Sequence, residues 1–194
     1  PSSRTCKPKP WTSYNPFETE NAMNPALAPL FARRSIRQYQ AKPVPDPVIQ
    51  DVIEAAMAAP SANAKDPWEI IVVRKPETLA QIAAGLPYGK MLGHAPVGFV
   101  VCGNLQRVNG QHLSYLLQDC SACIENLLLA LSMLGLGGVW LGVHPREDRI
   151  AHLKQLFHLP EEIIPIGVIS AGYPAETPPP RTRFNAAHLH HEQW

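Results

Sequence analysis

The stretch from His112 to Leu134 constrains this chain more than any other. Leu113, Leu116, Leu117, Cys120, Ile124, Leu127, Leu128 and Leu131 recur there at helical spacing and make a wide apolar face. A helix so long and so apolar has to be covered on several sides, so the rest of the fold must be arranged around it. Gly135, Gly137 and Gly138 are expected to stop it. Elsewhere the pattern alternates. Pro25 to Arg33 reads as a first short helix. Asp46-Pro47 supplies an N-cap and a proline at the first helical position, ahead of the single apolar face of Ile49, Val52, Ile53 and Ala56. Pro60 closes that helix. Ile70 to Val73 and Val97 to Cys102 read as buried strands, with a short helix from Thr78 to Ala84 between them. Val139 to Val143 is a third strand, Arg146 to Phe157 an amphipathic helix, and Ile163 to Ser170 a fourth strand. The proline-rich tail from Gly172 is expected to be extended. The sum is an α+β (or α/β layered) fold, a small central sheet flanked by helices.

At 194 residues, one domain is expected. Residues 1–22, rich in proline and without an apolar period, read as a vector-derived or poorly ordered tail, leaving 23–194 as the domain. Charged residues are only 17% of the chain, against about 25% in typical domains. So sparse a charge implies that part of the surface is covered, most simply by a second subunit. With a net charge of +1 and no basic stripe, nucleic acid is not an expected partner. No uninterrupted apolar run reaches the roughly 20 residues of a membrane span. Four irregularly spaced cysteines do not make a disulfide scaffold, and a reducing, cytoplasmic setting is expected.

Against that sparse background, Arg33-Arg34-Ser35-Ile36-Arg37 puts three arginines in five residues. Guanidinium forks match a phosphate and keep their charge, so an anionic ligand is a natural reason for the cluster, with a solvated basic turn as the alternative. Arg181-Thr182-Arg183 is a second cluster, whose two arginines share one side of an extended chain. The two clusters are expected to converge on one phosphate. Pro60-Ser61-Ala62-Asn63 is a loop of small residues suited to close approach by a flat ligand, or a plain connector. Gly135 to Gly142 follows a helix and precedes a strand, the reverse of a dinucleotide fingerprint. Cys120-x-x-Cys123 sits inside the long helix, where a thiol is not activated, and His188, His190 and His191 read as a surface tail without metal-ligand spacing.

Taken in order, these segments resemble the nitroreductase family of flavoproteins. Arg33-Arg34-Ser35-Ile36-Arg37-Gln38-Tyr39 is similar to its N-terminal signature. Ala59-Pro60-Ser61-Ala62 with Pro67-Trp68 is similar to its second motif. Gln118-Asp119 and Glu125-Asn126-Leu127-Leu128-Leu129-Ala130 resemble its central helix. Gly135-Leu136-Gly137 with Trp140-Leu141-Gly142 resembles its third motif, and Gly172-Tyr173-Pro174 with Arg181 and Arg183 its C-terminal end. The resemblance implies a mostly antiparallel sheet and a homodimer with FMN at the subunit interface. It also implies NADH- or NADPH-driven reduction of a small-molecule acceptor. Arg33, Arg34, Ser35, Arg37, Arg181 and Arg183 would hold the phosphate and ribityl chain. Pro60, Ser61, Ala62 and Asn63 would approach the ring from the partner subunit, and the N–H groups of Gly142 and Val143 would face flavin N5 and O4. No catalytic side chain is implied, because the flavin accepts the hydride. Ala64 and Asp66 depart from the family's usual Asn and Gln, which would bring a carboxylate to the flavin's polar edge. A specialised flavoenzyme of the same fold (reductive dehalogenation or flavin fragmentation) and a non-catalytic flavin-binding module are the alternatives.

Overall fold

A computed structural model describes residues 24–194, so the 1–22 tail lies outside the described residues. Four strands form one sheet: β1 (Trp68–Val73), β2 (Val97–Asn104), β3 (Gly137–Gly142) and β4 (Ile163–Gly172). Their order is β1-β2-β4-β3, and every neighbouring pair is antiparallel. Five helices flank it: α1 (Ala28–Ala32), α2 (Asp46–Met57), α3 (Pro76–Ala84), α4 (Leu113–Met133) and α5 (Glu147–Phe157). The expected layered α+β arrangement is therefore present.

The sheet separates two cores. On one side α4 and α2 cover it, with Leu116, Ile124, Leu127 and Leu131 of α4 at 1% exposure or less. On the other, α3 and α5 meet Val100, Cys102, Val139, Leu141 and Val168. β2 lies between two strands and is buried up to its last residue, because its alternate side chains enter different cores. β1 is an edge strand: Ile70 and Ile71 are accordingly only part-buried and Val72 is exposed, while Val73 is buried, which corrects the expectation of a buried strand. By length and composition α4 could cross a membrane. Its apolar face is instead occupied by α2 and the sheet.

Two local readings change. Asp46 makes no capping bond; its carboxylate accepts from Arg74, which also bonds the Val44 carbonyl. Gly135, at φ +74°, ends the α4 turn, whereas Gly137 and Gly138 belong to β3. Gly137 is there for space: a Cβ would stand 2.4 Å from Ile36 Cγ1 and 2.7 Å from its Cβ. Ile36 is buried over that glycine and donates its N–H to the Gly138 carbonyl at 3.0 Å. The arginine segment is thus docked along the outer edge of β3. Gly137→Ala should force Ile36 off this edge and cost about 1–3 kcal/mol, as overpacking does. Urea unfolding of the variant against the parent chain checks it.

Candidate functional site

The 31–40 segment and the C-terminal arm run side by side in opposite directions. Gln40 N–H donates to the Tyr173 carbonyl at 2.9 Å, Ala175 N–H to Gln38 at 2.9 Å, and Arg181 N–H to Phe31 at 3.2 Å. The Arg34 guanidinium donates to the Pro179 carbonyl. This pairing carries the second arginine cluster back to the first, with Arg181 opposite Phe31 and Arg183 two residues beyond. Sequence spacing alone cannot bring residues so far apart together.

Several members of the clusters are already engaged. Arg33 Nε lies 3.1 Å from Glu125 Oε1 on α4. Ser35 forms a parallel bridge with Gly138. The main-chain N–H groups of Arg37 and Gln38 both donate to Glu176 Oε1, at 2.5 and 3.1 Å. Glu176, from the proline-rich arm, is thus an internal anion for the basic segment, and nothing in its sequence neighbourhood announced it. Tyr39 fixes the far end: its hydroxyl stands 2.7 Å from the Ile36 carbonyl and 2.9 Å from that of Ser170. Burial pushes its pKa up to about 12, so it remains a neutral donor.

β3 is the open edge of the sheet, and there the ladder's alternation decides what is exposed. Val143 N–H donates inward to Ile166 at 3.2 Å. It is therefore spent, which removes it from the expected pair of ligand-facing donors. One residue earlier, main-chain groups point the other way. Gly138 offers its carbonyl outward to Ile36, and Gly142 offers its own to Arg149 Nη1 at 2.6 Å. The Gly142 N–H shares that outward side, and a Cβ at Gly142 would meet nothing within 4 Å. Before it lies a cleft of about 260 Å³, lined by Arg37, Leu86, Pro87, Tyr88, Val139 to Gly142, and Arg149. Arg37 and Gly142, placed at separate ends of a ligand from sequence, share this one cleft. A second cleft of about 200 Å³ holds Arg34, Ser132, Glu176 and Thr177.

The 60–63 loop lines neither cleft. It docks on α4 elsewhere: Ala62 N–H donates to Asp119 Oδ1 at 2.9 Å. Asp119 and Glu125, the α4 anchors of the two motifs, are six residues apart, about 9 Å along the axis. Asp119 is 5% exposed and its Oδ2 has no partner, so Ala62 is its one hydrogen-bonded tether among the described residues. Asn63, Ala64 and Asp66 all adopt positive φ, at 54°, 50° and 46°. Three such residues without glycine mark a loop held in place from outside. Asn63 Nδ2 donates to Asn109 Oδ1 at 2.9 Å. Ser61 Oγ donates to Asp66 Oδ1 at 2.5 Å and accepts the Asp66 N–H at 2.9 Å. The Asp66 carboxylate therefore has a local role in holding Ser61. Pro60 is exposed at the loop's start.

The described thiols lie outside both clefts. Cys102, Cys120 and Cys123 are free and buried. Burial pushes Cys102 and Cys123 up to about 12, and Cys120 upward as well, with the neighbouring Cys123 adding to the rise. A thiol whose folded pKa exceeds its unfolded value binds more protons folded than unfolded above pH 9. Stability is therefore retained below about pH 9 and lost as pH rises toward 12. The expected result is an unfolding midpoint unchanged from pH 7 to 8.5 that falls from pH 9 to 11. The peptides carrying these three cysteines should be unlabelled by a thiol reagent at pH 8 until the chain is unfolded, as peptide mapping would read.

A model of the family described as "Nitroreductase family" matches residues 30–86 and 83–173. A protein of Methanothermobacter thermautotrophicus is 45% identical over 170 residues, covering 87% of each chain. A solved structure from Parabacteroides distasonis is 38% identical, with a TM-score of 0.83 over 89% of this chain and all of that one. Both bear the name "Putative NADH dehydrogenase/NAD(P)H nitroreductase". A Desulfovibrio desulfuricans structure, described as "a putative nitroreductase in complex with fmn", is 28% identical with a TM-score of 0.76, covering 89% of this chain and 99% of that one.

Proposed function

The chain belongs to the nitroreductase family, and from that premise we propose that it is an FMN-dependent oxidoreductase that uses NADH or NADPH to reduce nitroaromatics, quinones or related small acceptors. The observation that carries this reading is the free edge of β3. An outward Gly142 N–H, open space in front of it and a docked arginine segment lie along one cleft. That donor set fits a flavin: a main-chain N–H for the polar edge of the ring, and guanidinium groups for the phosphate. Bound there, FMN would accept hydride from the nicotinamide and pass electrons to the acceptor.

The chain's own residues bind and orient. Arg33, Arg34, Ser35, Arg37, Arg181 and Arg183 would hold the phosphate and ribityl chain, and Gly142 the ring edge. Their antiparallel pairing holds these segments in register before the ligand arrives, so little ordering cost falls on binding. With only one face of the ring open, donor and acceptor would bind in turn, a ping-pong sequence. A cytoplasmic location accords with free, buried thiols.

The cleft is smaller than the roughly 300–1,000 Å³ of small-molecule sites. A second subunit would supply the missing wall, with Pro60, Ser61, Ala62 and Asn63 on the tethered loop as its contribution. Leu30 at 51% exposure and Met133 at 68% give apolar surface for such an interface. Analytical ultracentrifugation at low micromolar concentration should then find twice the chain mass, and a folded, FMN-bound monomer would remove the shared-site argument.

The protein should purify with FMN or take it up, as heat release and chromatography would identify. Stopped-flow mixing with NADH or NADPH should bleach the flavin absorbance. A flavin that stays oxidised would point to a binding module. Arg37→Ala and Arg183→Ala should each weaken FMN binding by roughly ten- to a hundredfold, the worth of one charge-assisted hydrogen bond. Fluorescence titration of the flavin-free protein measures this, and unchanged binding in both would overturn the arginine assignment.

A further inference from the structure

The C-terminal arm loses its main-chain pairing where it passes the arginines. Gln40 pairs with Tyr173 and Gln38 with Ala175, and pairing resumes only at Phe31 with Arg181. Arg33 to Arg37 lie in the gap, opposite Glu176-Thr177-Pro178-Pro179-Pro180, whose three prolines have no N–H to donate. Side chains fill the gap instead. The Arg34 guanidinium donates to the Pro179 carbonyl, and Glu176 Oε1 accepts the N–H groups of Arg37 at 2.5 Å and Gln38 at 3.1 Å. Two successive N–H groups that converge on one oxygen form a small anion-binding nest. Glu176 shares the cleft of about 200 Å³ with Arg34, yet it has no ion pair within 4.0 Å among the described residues. Its carboxylate serves the main chain of the segment, not the guanidinium groups.

Among the described residues these two N–H groups have no other partner. Without Glu176 both would turn to water, and the direction of the chain at 37 and 38 would no longer be set. The acid also has a cost, because a carboxylate among arginines lowers the positive field they offer a phosphate. Order and field are separable: an amide at this position keeps the acceptor and drops the charge.

We propose that Glu176 is a positioning residue of the cofactor site: it fixes the main chain from which Arg34 and Arg37 reach out, and so sets how strongly the chain prefers a phosphorylated flavin to riboflavin. The proposal rests on the flavin reading and deepens it. The effect is confined to the phosphate end, since Gly142 at the ring end is placed by β3 and held by Arg149.

Fluorescence titration of the flavin-free protein with FMN and with riboflavin, paired with hydrogen exchange of residues 33–40 in the same protein, tests this. Glu176→Ala should weaken FMN roughly tenfold, leave riboflavin within about twofold, and lose the amide protection of Arg37 and Gln38. Glu176→Gln should recover most of both losses. Glu176→Asp, which keeps the charge but stops one methylene short of the two N–H groups, should behave like Glu176→Ala. An FMN-to-riboflavin ratio in Glu176→Ala equal to the parent's overturns the proposal, because a merely loosened fold weakens both flavins alike. Tighter FMN binding by Glu176→Ala also overturns it, since the carboxylate would then be a rival of the phosphate. So does a Glu176→Gln variant no better than Glu176→Ala. A parent chain that binds neither flavin overturns the flavin reading and with it the cofactor role of Glu176, while the exchange rates still decide whether the carboxylate orders the segment. Should Glu176→Ala not fold, the Glu176→Asp and Glu176→Gln ratios decide in the same way.

Discussion

The burial of α4 is the constraint on which the rest of this structure depends. Four of its side chains, Leu116, Ile124, Leu127 and Leu131, are at 1% exposure or less. Each such burial is worth about 1.5–3 kcal/mol, so the four together supply an upper estimate of about 6–12 kcal/mol. That is the size of a whole domain's net stability. The sheet and α2 are held against this face, and the arginine segment and the 60–63 loop are tied to the same helix. Arg33 reaches it through Glu125, and the 60–63 loop through Asp119. A rigid helix thus sets the spacing between segments that are far apart in the chain.

The second organising feature is an unfilled sheet edge. An edge strand leaves a row of main-chain groups without partners, which invites unwanted pairing unless they are occupied. On β3, Ile36 occupies the Gly138 carbonyl and Arg149 the Gly142 carbonyl. The Gly142 N–H is left beside an open cleft, where glycine leaves room for a ligand's approach. In the proposed reading, this structural liability would serve as a recognition element for the flavin. This suits a family whose chemistry is carried by a cofactor, and it agrees with thiols that burial keeps protonated.

The basic segment is held by an acid as much as by its neighbours. Glu176 takes two consecutive N–H groups, and Tyr39 joins the segment to the core through Ser170. These contacts hold the main chain of the arginines before any ligand binds. Preorganisation of this kind lowers the ordering cost of association.

By itself the sequence determined the elements. The α4 period, the β-branched runs and Gly135 identified helices, strands and a helix end, because local spacing and backbone freedom act over a few residues. The ordered motifs identified the family for the same reason, since each is contiguous. Only the tertiary structure decided which strands are edges, and so why Ile70 to Val72 is half-open and why the Gly142 N–H faces away from the sheet while that of Val143 bonds Ile166. Strand order is a property of long-range pairing that no local pattern encodes. It likewise decided that Asp46 pairs with Arg74, that Glu176 and Asp119 anchor the two motifs, and that Arg149 faces the cleft. Those contacts join residues far apart in the chain, and their partners are selected by the packing of helices and arm around one sheet, not by the residues beside them in sequence.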